Sequence, residues 1–413
     1  MFAQGSGSSE LKALKVLVQI LDVASEYLKD KKWINSDDGW KTCIRSFVEA
    51  NSVKINPASK STKFLNYDSM HLIRTYFGET PVAGVLPYTE IVSFIDKLRC
   101  GKFPEIGVRI SPEEFKLEDF SEKIQNTIRD EGYAEKMGAG SITHNSRTIR
   151  LNKVERNRGR IQLYLQRAKY YDQVNSNLIL DYFSKEYGNM NTIRNFLLHE
   201  SLGRFPDLND GRLANSIGVS TILFYRDGDA WVPLLMPRTP KSPKGVAVFE
   251  GGWHCSASGA AEWSKEDNPK NPRFRTMIED DMYNEIEEEL GIQKKDITIL
   301  SPIAICREMA RAGKPQIFFA GFVNIGHDKI MNNIDRARAK MIEKVKNVEF
   351  LEYPIFGIRN LSHGSIFGEI VKRSESARVG GLTGVTMGMT TECAANLYYA
   401  ALAFPSLILM LNR

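Results

Sequence analysis

Helical periodicity opens the chain and strand-like alternation takes over later. Residues 10–27 place Leu11, Leu14, Leu17, Val18 and Leu21 at helical spacing, and residues 89–98 and 112–130 carry the same signal. From 148 to 181 the period shortens to two. Thr148-Ile149-Arg150-Leu151-Asn152 and Arg160-Ile161-Gln162-Leu163-Tyr164-Leu165 alternate, with 175–180 as a further strand-like run. Residues 218–225 then read as a strand, Arg226-Asp227-Gly228-Asp229 as a hairpin turn and 231–236 as its partner. Residues 246–249 lead into Gly251-Gly252-Trp253. Two more strands are expected at 297–305 and 316–323, joined by the turn-rich Arg311-Ala312-Gly313-Lys314-Pro315. Phe205-Pro206-Asp207-Leu208-Asn209-Asp210-Gly211 reads as a linker or surface loop. The expected organisation is a mostly helical α+β region over 1–204, an α/β domain over 205–360 and a C-terminal extension over 361–413.

Between the glycine pair and the later strands lies an unbalanced charge pattern. Residues 279–289 pack seven carboxylates into eleven positions with no basic residue among them. Met282, Ile286 and Leu290 recur at i, i+4, i+8, so a helix would bury that stripe and bring Glu285, Glu288 and Glu289 together on a neighbouring edge. Like charges so placed repel, and those near the C-terminal end also oppose the helix dipole. A hard divalent cation would reverse the repulsion, since Mg²⁺ is typically held by a few carboxylates, waters and substrate phosphates. Taken alone, an acidic run ending in glycine is equally a solvated helical face with a C-cap.

The run Asn284-Glu285-Ile286-Glu287-Glu288-Glu289-Leu290-Gly291-Ile292 resembles the core of the Nudix box, Gly-x5-Glu-x7-Arg-Glu-U-x-Glu-Glu-x-Gly-U, with U a bulky aliphatic residue. Glu285, Ile286, Glu288, Glu289, Gly291 and Ile292 match. Asn284 stands where the box has arginine, and Lys270 and Thr276 stand where its upstream glycine and glutamate would fall. Gly251-Gly252 or Gly259, and Glu279, are the nearest substitutes, which implies an insertion around 263–274. Arg273 or Arg275 is the nearest replacement for the missing arginine.

The resemblance spans roughly 211–356 and implies a Nudix-type α/β/α sandwich with a mixed sheet. It further implies a pyrophosphohydrolase that cleaves a nucleoside diphosphate linked to another moiety by water attack at phosphorus. Glu285, Glu288 and Glu289 would hold Mg²⁺ or Mn²⁺. One of these glutamates, or Glu308 on the following strand, would serve as general base. Gly251 and Gly252 would let the backbone approach the phosphates. Arg238, Lys241, Lys244 and Arg307 are candidates to meet phosphate charge, and Tyr225, Trp231 and Trp253 to stack on a base, although aromatic residues more often fill cores. The rival expectation keeps the fold without the chemistry, as a ligand-binding sensor coupled to residues 1–204.

Composition narrows these alternatives only mildly. Over 413 residues the net charge is +5, and no dense Lys/Arg tract argues for nucleic-acid binding. Arg147, Arg150, Lys153, Arg156, Arg158 and Arg160 are expected on a solvated strand face. Five scattered cysteines, Cys43, Cys100, Cys255, Cys306 and Cys393, show neither a zinc-ligand spacing nor a disulfide framework, and Cys255 is expected to be a small buried filler. No apolar signal segment opens the chain, so a cytoplasmic location is expected. Residues 393–411 approach membrane-spanning length, but Asn396 and Pro405 interrupt them. A helix over 392–404, capped by Thr390 or Thr391 and packed on the domain body, is expected instead of an anchor. Regulation, assembly into a homo-oligomer and substrate capping stay open for residues 1–204.

Overall fold

The computed structural model describes residues 82, 88–120, 145–157, 159–179, 193–200, 205–228, 230–237, 253–263, 269, 271–309, 313–344 and 391–413. The predicted helix at 10–27, the strand at 246–249 and the insertion core at 264–268 lie outside these residues. Within them the chain is mixed α/β.

A six-stranded sheet forms the centre. Its order is β1 (Tyr88–Ser93), β10 (Ile297–Glu308), β11 (Lys314–Val323), β5 (Gly218–Asp227) and β6 (Ala230–Leu234), with β9 (Ala257–Ala260) also paired to β5. β5 and β11 run parallel, with Phe318 opposite Ser220 and Phe322 opposite Phe224, and β10 is antiparallel to β11. Every residue of β11 and residues 218–225 of β5 are buried. A strand pair buried on both faces needs cover on both faces, and helices supply it. Phe224, Phe318 and Phe322 point to one side, where Phe404 and Tyr399 meet them at centroid distances of 4.9 to 6.0 Å. Phe319 points to the other side and stacks on Phe274.

The helix on the first side is α6 (Thr391–Leu411), counted after α1 (Ile95–Arg99), α2 (Tyr170–Val174), α3 (Ile193–Glu200), α4 (Asp280–Leu290) and α5 (His327–Lys344). Instead of ending near Phe404, α6 continues past Pro405 to Leu411. Proline removes one helical hydrogen bond, and burial of Leu407 and Ile408 beyond it offsets that loss. Polar ties fix the register of α6 on the sheet. Tyr399 donates to Glu90 at 2.8 Å, Gln316 donates to Glu392 at 2.8 Å, and Asn396 donates to Ser220 at 3.1 Å. Among the described residues no helix is long and apolar enough to cross a membrane.

A second, three-stranded sheet has the order β2 (Ile106–Glu114), β4 (Arg160–Lys169), β3 (Arg147–Asn157). A short antiparallel pair, β7 (Met236–Pro237) with β8 (Trp253–His254), sets Met236 opposite His254. The alternation at 148–152 and 160–165 thus forms strands, whereas residues 177–179 form a 3-10 turn. Of the helix expected over 89–98 only the end forms, as Ile95–Arg99, after the edge strand Tyr88–Ser93; of that expected over 112–130, residues 112–114 close β2 and 121–130 lie outside the described residues, since apolar residues of a short amphipathic segment fit either period.

The division near residue 205 does not follow the sheets. β1, from the first half, pairs with β10, and β3 is joined to the central unit by Ile149 N to Ala261 O and Ile217 N to Ile149 O. Apolar residues of both sheets share one core. The segment 205–211 is not a free linker either, because Phe205 is buried and Arg150 holds the carbonyls of Leu208 and Asp210.

Of the expected solvated basic face, Arg147, Lys153, Arg156 and Arg160 are exposed and Arg158 lies outside the described residues, but Arg150 turns inward. It is 2% exposed and donates to the carbonyls of Leu208, Asp210 and Leu213 and to the side chains of Asn152 and Gln166. Its guanidinium lies 4.5 Å from the Phe115 ring centroid. Burial pulls its pKa down to about 10, against the opposing pull of Asp210 and Glu118. Arg150→Met should therefore destabilise the protein by on the order of 3 kcal/mol in urea unfolding, because it removes every hydrogen bond of a buried guanidinium and takes the side-chain donor from the buried Leu213 carbonyl, while the Leu208 and Asp210 carbonyls keep Asn215 Nδ2 and the Leu213 N–H. A loss below about 1 kcal/mol would mean that water reaches the Leu213 carbonyl.

Candidate functional site

The acidic helix forms where its periodicity predicts. Met282, Ile286 and Leu290 are fully buried along one stripe, and Gly291 ends α4 at φ 65° with its N–H on the Glu287 carbonyl. Two constraints select glycine there. The left-handed conformation disfavours a side chain, and a Cβ would meet the Asn333 backbone carbonyl of α5 at 2.5 Å. A π-helical turn, Arg275–Glu279, leads into the helix.

What the acidic edge faces is β9. A Cβ on Gly259 would fall on the carboxylate of Glu285, so only glycine lets the strand pass beneath that side chain. On either side of this contact the helix meets backbone donors of the strand and of the residues just after it. Ser258 N–H donates to Glu289 at 3.2 Å, and Glu262 N–H donates to Asp281 at 3.0 Å. Asp281, Glu285 and Glu289 recur at i, i+4, i+8, which places them in a row along β9. Gly259 is opposite Val219 on β5, on the sheet face that carries α4.

The electrostatics follow from this packing. Burial raises the Glu285 pKa, and Glu289, Glu288, Glu262 and Asp281 push it further, to about 9. Among the described residues, the charges that shift it most are carboxylates. A glutamate kept protonated by acidic neighbours over a glycine notch suits a small divalent cation, which would occupy the volume these oxygens border and let Glu285 ionise. Glu285, Glu288 and Glu289 are the residues that could hold it. Glu262 and Asp281 join the cluster without belonging to the expected set. The i+4 spacing from Asp281 was a usable signal, whereas Glu262 arrives only through the pairing of β9 with β5.

Other candidates go elsewhere. Glu308 is opposite Lys314 on β11, on the α6 side of the sheet with Cys306 and Gln316, so the structure does not bring it to the carboxylates. Arg307 is buried and spends its guanidinium on the carbonyls of Gly313 and Pro206, at 3.1 and 2.8 Å. That role is structural and leaves the Arg307 guanidinium committed to loop backbone. Lys314 donates to Gln316 at 3.2 Å. Tyr225 is fully buried and Trp231 packs edge-on against Phe322, so both serve the core. Asn284 is exposed, and Arg275 acts on Glu279, one turn before the box. Gly251, Gly252, Arg238, Lys241, Lys244 and the Trp253 side chain lie outside the described residues.

Comparison with known proteins identifies no family that matches the chain, and no curated sequence matches it either.

The raised Glu285 pKa has a definite sign in stability. Between pH 4.5 and about 9 the folded protein holds a proton that the unfolded chain has released, so stability falls as pH rises through that window. Below it the two states are protonated alike. Glu285→Gln should therefore raise the stability of the metal-free protein at pH 8, by on the order of 1–2 kcal/mol, with the gain fading toward pH 5. Thermal melts without divalent ions measure this, and an unchanged or lower Tm at pH 8 would contradict it.

Proposed function

We propose that the chain carries a Nudix-like, metal-dependent hydrolase domain acting on a nucleoside diphosphate linked to another moiety. The single observation that supports this most is that Glu285 sits in the notch at Gly259 with Glu289, Glu288, Glu262 and Asp281 near enough to raise its pKa. A sheet with α4 on one face and α6 on the other is compatible with the α/β/α sandwich of that family. Bound Mg²⁺ or Mn²⁺ would polarise a phosphoryl oxygen and lower the pKa of a coordinated water. The chain's own contribution is to hold the carboxylates in a row, fixed by the backbone donors of Ser258 and Glu262. Proton removal from the attacking water falls to one of the box glutamates, since Glu308 is on the opposite face. In this reading Gly251, Gly252, Arg238, Lys241 and Lys244 contact the diphosphate.

The competing reading is a ligand sensor without turnover. It is favoured by the same two hydrogen bonds, which give Glu289 and Asp281 a structural task that needs no metal.

Two measurements separate the readings. Millimolar Mg²⁺ or Mn²⁺ should raise the Tm of the wild-type chain by several degrees and that of Glu288→Gln by much less. Without any shift the metal site is lost, and with it the hydrolase. A panel of nucleoside triphosphates, dinucleotides and nucleotide sugars should give metal-dependent product, reduced by about two or more orders of magnitude in Glu289→Gln. Binding of a panel member with no turnover would establish the sensor instead.

A further inference from the structure

We propose that a second metal site, selective for zinc, lies on the opposite face of the sheet and clamps the start of α6 to the strands. Its ligands are His254, Cys255 and Glu392, whose ligating atoms all lie within 4.8 Å of one another. Cys393, the residue after Glu392 and close enough to Cys255 to raise its pKa, lies beside this group and would turn in as the fourth ligand. Each half of the site is a neighbouring pair of residues, and the two pairs are far apart in sequence. No Cys-x-x-Cys spacing announces it, which is why the cysteines read as scattered.

The chemistry of the donor set selects the ion. Two thiols, an imidazole and a single carboxylate are a soft and borderline set that suits Zn²⁺ and not Mg²⁺. The pocket is enclosed, with Cys255 and Cys393 essentially unexposed and His254 at 9%. Tetrahedral zinc places its ligand atoms roughly 3.4–3.8 Å apart. The three ligands His254, Cys255 and Glu392 would therefore draw together by about 1 Å on binding, within reach of small side-chain rotations.

The surroundings are arranged as metal sites require. Ligands are typically oriented by hydrogen bonds to their remaining atoms. Ser258 Oγ lies 2.8 Å from His254 Nε2, and in the tautomer that donates there Nδ1 keeps its lone pair for the metal. Gln316 donates to Oε1 of Glu392 and leaves Oε2 for the ion. Asn396 sends Nδ2 toward both Ser220 Oγ and Cys255 Sγ, at 3.1 and 3.9 Å, while its fully buried Oδ1 has no hydrogen-bond partner among the described residues. The ligands come from β8, the residue after it and α6, and their hydrogen-bond partners from β5, β9, β11 and α6, so one ion would tie the start of α6 to β8 and, through these partners, to the central strands. Zinc here has a structural role, independent of any hydrolysis at the carboxylates on the other face.

The test uses the full chain, purified under reducing conditions and loaded with Zn²⁺ or Co²⁺. The wild type should retain about one zinc per chain after desalting. Co²⁺ should give a near-ultraviolet thiolate charge-transfer band, and added Zn²⁺ should raise Tm. Glu392→Gln and Cys255→Ser should each weaken zinc binding by at least about tenfold, and Gln316→Ala by about tenfold. Glu288→Gln, on the other face, should bind zinc as the wild type does. If Cys255→Ser fails to fold, the wild-type cobalt spectrum and the Glu392→Gln affinity decide. A wild-type chain with native circular dichroism but no thiolate–cobalt band would overturn the proposal. So would zinc that survives Glu392→Gln and is lost in Glu288→Gln.

Discussion

The parallel pairing of β5 with β11 is the constraint on which the remainder of the architecture depends. Both strands are buried on both faces, so neither face can be left to water without forfeiting a large share of the burial that holds the domain together. One face takes the π-turn and α4, through contacts such as Phe274 on Phe319. The other takes α6, through Tyr399 and Phe404. Each face then acquires its own chemistry, because the helix that covers it also brings polar residues to the sheet. The carboxylates arrive with α4, and Glu392, Cys393 and Asn396 arrive with α6.

β9 links the two sides. Adjacent residues of a strand point to opposite faces, so Gly259 looks toward α4 while Ser258 is opposite Ser220, whose hydroxyl meets α6. The backbone of this four-residue strand feeds a hydrogen bond to Glu289, and its Ser258 side chain reaches His254. A shift of one residue in its register would put Glu285 over a side chain and dismantle the row of acids. Four residues with little apolar content are a weak strand alone, so its register is held from both flanks. Ser256 donates to the Leu234 carbonyl before it, and Ala261 donates to the Ile217 carbonyl after it.

Buried arginine does comparable work at the junction of the sheets. Arg150 takes the carbonyls of Leu208, Asp210 and Leu213, and Arg307 that of Pro206, from a segment around residues 205–213 that has no regular ladder of its own to satisfy them. An unpaired buried carbonyl costs more than a good hydrogen bond contributes. A guanidinium with five donors answers several at once. The chain there is consequently part of the core and not a hinge.

Local pattern was enough to place β5, β10, β11 and α4, because each is long, bounded by turn residues and strongly periodic. It was also enough to gather Glu285, Glu288 and Glu289, since helical spacing alone puts them together. Short elements escaped it: β1 read as helix, because six residues cannot display a period, and α6 outlasted Pro405, because buried contacts beyond the proline repaired the break. The sequence by itself determined the acidic row and the apolar strands that demand covering. Only tertiary structure decided that Glu262 joins the row, that Arg307 and Arg150 turn inward, that Glu308 falls on the far face, and that His254 and Cys255 meet Glu392 and Cys393. The reason is common to all four. Each depends on strand pairing or helix docking between segments distant in the chain, and no local period encodes which distant backbone a side chain will find.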